Sequence, residues 1–150
     1  GGICETQDNG EKVLTFLHAS YYVQAAELEY GLSGESPSYL KEQFELLHHH
    51  PQVVLLNGNG MIEDYIQYEV TGAHSKYHQV FWVRQQKETI FYGADDAPQL
   101  GQMNNRFMAK YDYDGRKCME LRKIWWQKGE EEKWTFMFYH DVKSPTFQFD

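Results

Sequence analysis

The chain has 150 residues and 17.8 kDa, room for one compact domain rather than two, and its 41% hydrophobic and 16% aromatic content excludes a disordered segment. Lys and Arg number 14 against 22 Asp and Glu, a net charge of -8 that repels phosphate backbones and excludes nucleic acid as a partner. The longest uncharged stretch, residues 46–62, is broken by three His, Pro51 and the Asn/Gly run after Leu56, so membrane insertion through an apolar helix of about 20 residues is excluded and a soluble protein is expected.

Taken in chain order, Val13, Leu14, Phe16 and Leu17 have helix-like spacing and predict a short helix over 11–18. Tyr21-Tyr22-Val23 then predicts a strand over 20–30. Ser36-Pro37 is a helix start, with Leu40, Phe44 and Leu47 as its apolar stripe, although part of 39–47 also suits a strand. Residues 53–56 predict a short buried strand and Asn57-Gly58-Asn59-Gly60 a hairpin turn. Beyond residue 60, short aromatic and β-branched runs predict antiparallel strands over 62–70, 79–84 and 89–92, followed by an exposed connection over 93–101.

Two more strands, 106–113 and 116–126, are predicted around Asp114-Gly115, a dipeptide suited to a type I′ turn. That register sets Tyr111 opposite Cys118 and Phe107 opposite Arg122, and places Glu120 and Arg122 on the aromatic face. A last strand over 133–140 alternates Trp134, Phe136, Phe138 and His140 against Thr135, Met137 and Tyr139, and pairs with the strand ending at Trp125-Trp126.

No GxSxG, P-loop, HExxH or GxGxxG sequence occurs, so no catalytic residue, metal site or cofactor is predicted by motif. His48, His49 and His50 diverge from one another on any regular element. His74 and His78 read as surface histidines, and Glu63-Asp64 and Asp95-Asp96 as solvated turn acids rather than acid–base pairs. Cys4 and Cys118 are too far apart for a CxxC motif and leave open one disulfide, which would pin an N-terminal arm, or two free thiols. The Gly-Gly-Ile-Cys start reads either as that of a processed mature chain or as a replaced start.

A single antiparallel sheet this aromatic on one face would protect its edges by closing, so the expected fold is mostly β: an up-and-down β-barrel of about eight strands with a short N-terminal helix. The landmarks resemble the lipocalin superfamily, most nearly the tick salivary lipocalins of the histamine-binding type. The resembling pieces are Ser20-Tyr21-Tyr22-Val23-Gln24-Ala25, the run from Phe107 through Asp114-Gly115 and Cys118 to Leu121, and Glu130-Glu131-Glu132-Lys133-Trp134-Thr135-Phe136. The chain departs from that branch in having few cysteines and no C-terminal helix. The resemblance implies one barrel domain over 1–150 and a secreted, extracellular ligand carrier.

The leading expectation is therefore a non-enzymatic binding protein whose small-molecule partner, a biogenic amine or a fatty acid, sits among Tyr22, Tyr68, Phe91, Phe107, Tyr111, Trp134, Phe136 and Phe138. Glu120 would orient an amine and Arg122 a carboxylate. The alternatives are a dehydratase or isomerase on a nuclear-transport-factor-like α+β cone, with His78, Asp64 or His140 as base, and an inhibitor that meets a host protein through its surface.

Overall fold

The computed structural model describes residues 2–105 and 107–149. The chain forms two compact units, Gly1–Asn57 and Gly58–Asp150. Among the described residues no helix is long and apolar enough to cross a membrane.

In the first unit β1 (Cys4–Thr6) pairs antiparallel with β2 (Lys12–Leu14). β3 (Tyr21–Gln24) leads into α1 (Ala25–Ser33), which ends on Gly34 at φ 78°, a left-handed cap that glycine adopts without a Cβ penalty. β4 (Val53–Leu56) returns parallel to β3, with Tyr21 opposite Val53. Leu14, Leu28 and Leu47 form the buried centre. The helix expected over 11–18 is therefore a strand and a loop, and the strand expected over 20–30 turns into a helix at Ala25. The predicted helix over 37–49 is reduced to two 3-10 turns, Lys41–Gln43 and Glu45–His48.

The second unit is one open sheet. β5 (Gly60–Ile62), β6 (Ile66–Val70), β7 (Gln79–Gln85), β8 (Glu88–Tyr92), β9 (Thr135–Met137) and β10 (Thr146–Gln148) lie side by side in that order. Every pairing is antiparallel except β8 with β9, which is parallel and registers Phe91 on Phe136. A parallel pair needs a crossover. The chain supplies α2 (Leu100–Met103) and α3 (Gly115–Glu131) between the two strands. The strands expected over 79–84 and 89–92 are present, but the Asn57–Gly60 turn is no hairpin, because β4 pairs with β3 and β5 with β6.

α3 replaces the predicted hairpin over 106–126. Asp114 caps the helix instead of making a two-residue turn: its side chain accepts from the Lys117 amide at 2.9 Å. Cys118, Arg122, Trp125 and Gly129 are then buried at one helical spacing. Gly129 is required there, since a Cβ would lie 2.3 Å from the Phe136 ring. Trp125 meets Phe91 at 4.9 Å between ring centroids, and Phe91 also touches Trp82 at 5.2 Å, Phe136 at 5.5 Å and Trp134 at 5.7 Å.

This architecture corrects the closed barrel, its lipocalin resemblance and the α+β cone. β5 and β10 are each bonded on one side only, so the sheet does not close. Its aromatic face is covered by a helix and filled by its own rings, so Phe91, Trp134, Phe136 and Phe138 are packed core at 0–2% exposure. Cys4 is a half-buried free thiol of the first unit and Cys118 a buried free thiol of the second.

Candidate functional site

Three connections at the end of the sheet carry the polar residues. The first, between β6 and β7, is a compact loop in which the Thr71 amide donates to the His78 carbonyl at 2.7 Å. Gly72, at φ 58°, lies where a Cβ would come 2.9 Å from the Lys76 carbonyl oxygen. His74 stands on this loop. The second is the turn after β8, Gly93 to Asp96, and the third follows β9 and carries Tyr139 and His140. The latter two leave the carboxyl ends of the parallel strands, the usual place for a ligand in sheets with crossovers.

Asp96 is the buried anchor, at 0% exposure. Its Oδ1 accepts from the His74 amide at 2.7 Å, and its Oδ2 lies 3.2 Å from His78 Nδ1. That second approach is an ion-pair contact poorly aligned for a hydrogen bond. Burial pushes the Asp96 carboxyl up, but the neighbouring His78, the Thr71 hydroxyl and the His74 amide outweigh it and hold it below the ordinary carboxylate value. Cys118 sits beneath with its Sγ 3.5 Å from Asp96 Oδ1, and burial followed by the charges of Asp96 and Asp112 pushes its thiol up, so it stays protonated.

His74 is gripped from the other side by the segment before α3. Tyr113 and Asp114 donate their amides to the carbonyls of His74 and Ala73 at 2.9 and 2.7 Å. Asp112 places Oδ1 3.0 Å from His74 Nδ1 and Oδ2 2.8 Å from the Ala109 amide. A carboxylate only accepts, so His74 Nδ1 is the donor of this contact. Nε2 lies 3.6 Å from Asp95 Oδ2, and His140 Nε2 lies 3.6 Å from Asp95 Oδ1. The Tyr139 hydroxyl donates to Asp95 Oδ1. Burial, then this bond to Asp95, pushes the Tyr139 phenol up, and burial with the Asp95 charge does the same to Tyr92.

The row therefore presents two imidazole nitrogens around one carboxylate, with a second carboxylate behind one imidazole. This donor set suits a borderline divalent cation such as zinc, and the Asp112–His74 contact is the usual outer support of a metal-binding imidazole. The row is open: among the described residues no group of three or more His, Cys, Asp or Glu side chains closes to metal-holding spacing.

The expected ligand walls do not meet here. Tyr22 lies on β3 of the first unit, and Tyr68 is buried on β6. Phe107 and Tyr111 are exposed beside the site, with the Tyr111 ring 5.7 Å from that of His74. Glu120 is exposed on α3, whereas Arg122 is 2% exposed and donates to Gln102 at 3.0 Å and to the Phe107 carbonyl. Of the proposed bases, His78 and His140 belong to the site, while Asp64 is exposed in the β5–β6 turn. Asp96, expected as a solvated turn acid, is buried, and His74 and His78 are ion-paired rather than free on the surface. Asp112 and Tyr139 escaped sequence reasoning altogether. The only local signals were the His74/His78 spacing and the doubled acids Asp95-Asp96, since the partners come from distant segments.

No protein-family model and no curated protein matches the sequence. Among solved structures, the chain is similar to a probable metal-dependent hydrolase from Staphylococcus aureus, with TM-score 0.79 and 18% identity over 90% of this chain and 49% of that one. It is also similar to a hydrolase in the beta lactamase superfamily, with TM-score 0.72 and 16% identity over 91% and 52% of the two chains. An N-acyl homoserine lactone hydrolase, with its product N-hexanoyl-L-homoserine bound at the catalytic metal center, matches with TM-score 0.64 and 20% identity over 81% and 47%. The chain spans about half the length of these structures. At such identities the likeness is one of fold: the chain shares the architecture of these structures, which overturns the closed barrel on which the reading as a non-enzymatic amine or fatty-acid carrier rested.

Proposed function

We propose that this chain contributes His74, Asp95 and His140 to the divalent-metal centre of a hydrolase that opens a small ester or lactone. The observation that carries the reading is the pair of imidazole Nε2 atoms at 3.6 Å on either side of one carboxylate, with His74 held through Nδ1 by Asp112. The beta-lactamase-like fold and the bound product of the lactone hydrolase support the reaction class. A metal bound there would supply Lewis acidity and lower the pKa of a coordinated water.

The chain's own residues do the positioning. Asp112 keeps the His74 proton on Nδ1 and leaves Nε2 as a donor. Asp95 brings negative charge between the two imidazoles. Asp96 ties the His74 loop to the turn after β8, so the donors from β6–β7 and β8 share one support. His140 is fixed by its backbone, with its amide on the Pro98 carbonyl at 3.2 Å and its carbonyl accepting from Gln99 at 3.0 Å.

The test combines zinc content after equilibrium dialysis with hydrolysis of N-hexanoyl homoserine lactone and of p-nitrophenyl acetate. Zinc retained by the chain and lost in His74→Ala and His140→Ala supports the reading. Equal zinc retention by both variants and the parent chain overturns the site, and a zinc-loaded chain that hydrolyses neither substrate overturns the reaction class.

A further inference from the structure

We propose that the uncovered face of α3 is a self-association surface, occupied by the α3 of a second copy of this chain lying antiparallel to it. The inference stands apart from the metal reading and uses none of the residues assigned there. α3 carries two stripes of the same helical spacing. Cys118, Arg122, Trp125 and Gly129 form the buried one. One position further on, Met119, Lys123, Trp126 and Glu130 repeat the pattern about 100° round the helix, at the spacing by which one helix meets another along a seam. This second stripe lines a cleft of about 580 Å³, whose other wall is Met103 of α2 with Asn104 and Asn105.

The cleft has an apolar floor and charges of both signs. Met103 is buried and Met119 half-buried, two thioethers that adapt to an incoming side chain. Trp126 is a fixed aromatic anchor: its ring stacks on Phe147 at 5.1 Å and 23°, and meets Phe149 at 4.6 Å and Phe136 at 5.5 Å. Lys123 and Glu130 flank it in the stripe and are exposed, and among the described residues neither has an ion-pair or hydrogen-bond partner.

Charge order selects the occupant and its direction. Read from the helix start, the stripe runs Met119, positive Lys123, Trp126, negative Glu130. A parallel second copy would set Lys123 on Lys123 and Glu130 on Glu130, like charges that repel. An antiparallel copy, related by a two-fold axis beside Trp126, turns Lys123 of each copy toward Glu130 of the other. The pair is then made twice, because the same patch serves both copies. α3 has 17 residues and is about 25 Å long, so the contact is small and the dimer dissociates reversibly.

The experiment is sedimentation velocity of the whole 150-residue chain over a concentration series, with thermal unfolding to show that each variant folds. A concentration-dependent dimer is expected for the parent chain. Lys123→Glu and Glu130→Lys are each expected to raise its dissociation constant by about 10-fold, since either puts two like-charge contacts into the dimer. The chain carrying both reversals rebuilds the pairs with opposite sign and is expected to return to within about threefold of the parent. Should a reversal fail to fold, Lys123→Gln and Glu130→Gln carry the same comparison, each expected to weaken the dimer by about threefold. A parent chain that stays monomeric throughout overturns the proposal. So does a dimer that neither single substitution weakens, and so does a double reversal whose loss is the product of the two single losses. Zinc retention by His74 and His140 enters none of these outcomes, so this inference and the metal reading fail separately.

Discussion

His74 and Asp112 meet at 3.0 Å across 38 positions of sequence, an imidazole on the β6–β7 loop against a carboxylate on the segment that enters α3. Asp112 is itself held by the Ala109 amide at 2.8 Å and its side chain is 5% exposed. The pair orients one imidazole nitrogen outward.

Removing that support is expected to cost metal affinity. Asp112→Ala frees the His74 ring to turn and to place its proton on either nitrogen, so zinc affinity should fall about 10- to 100-fold. The tautomer itself is readable by nitrogen-15 NMR of the apo chain, where the parent should carry the proton on Nδ1 and the variant a mixture. An unchanged tautomer in the variant contradicts the role given to Asp112.

Asp96 makes stability depend on pH in a stated direction. Burial raises its carboxyl pKa, but His78, Thr71 and the His74 amide more than offset this, leaving the folded value below the unfolded one. Such a group contributes stability that is fully present above the unfolded carboxylate value of about 3.9 and is lost as pH falls through the lower folded value. Asp96→Asn removes the buried carboxylate that faces the His74 amide and His78 and should destabilise the chain by about 3 kcal/mol near neutral pH, with a smaller difference in acid. Urea unfolding at pH 7 and pH 3 checks both magnitude and sign.

Gly129 sets how closely α3 approaches the sheet. A Cβ there would lie 2.3 Å from the Phe136 ring and 3.4 Å from Trp134. Since Phe136 is wholly buried, it has nowhere to move, and Gly129→Ala should destabilise by about 1–3 kcal/mol despite the better helix propensity of Ala. An unchanged urea midpoint would mean that the helix is not seated on Phe136.

Asp114 tests the helix start. Asp114→Ala deletes the bond to the Lys117 amide and should cost about 1 kcal/mol, measured by chemical denaturation. Asp114→Ser, which retains a capping oxygen, should recover most of it.

Much of the second unit was legible in local pattern. The strands at Gln79–Gln85 and Glu88–Tyr92 follow from short β-branched and aromatic runs, and the alternation of Trp134, Phe136 and Phe138 correctly marks buried against exposed faces. The same chemistry misled at Asp114-Gly115, because aspartate before glycine suits both a tight turn and a helix cap. Only packing chooses between them: the helix buries Trp125 on Phe91 and leaves Glu120 in water, whereas the hairpin would bury Glu120.

The site was legible hardly at all. Its members stand at positions 74, 95, 112, 139 and 140, and no spacing rule joins them. The amino-acid sequence by itself determined that the chain has strands, where several of them run, and which rings of the Trp134–Phe138 run turn inward, because those properties repeat every second residue. The tertiary structure alone decided that the sheet stays open, that a helix crosses between β8 and β9, and that distant acids surround His74. Such contacts depend on which backbone segments lie together once their hydrogen bonds and apolar faces are satisfied, and no local periodicity encodes that.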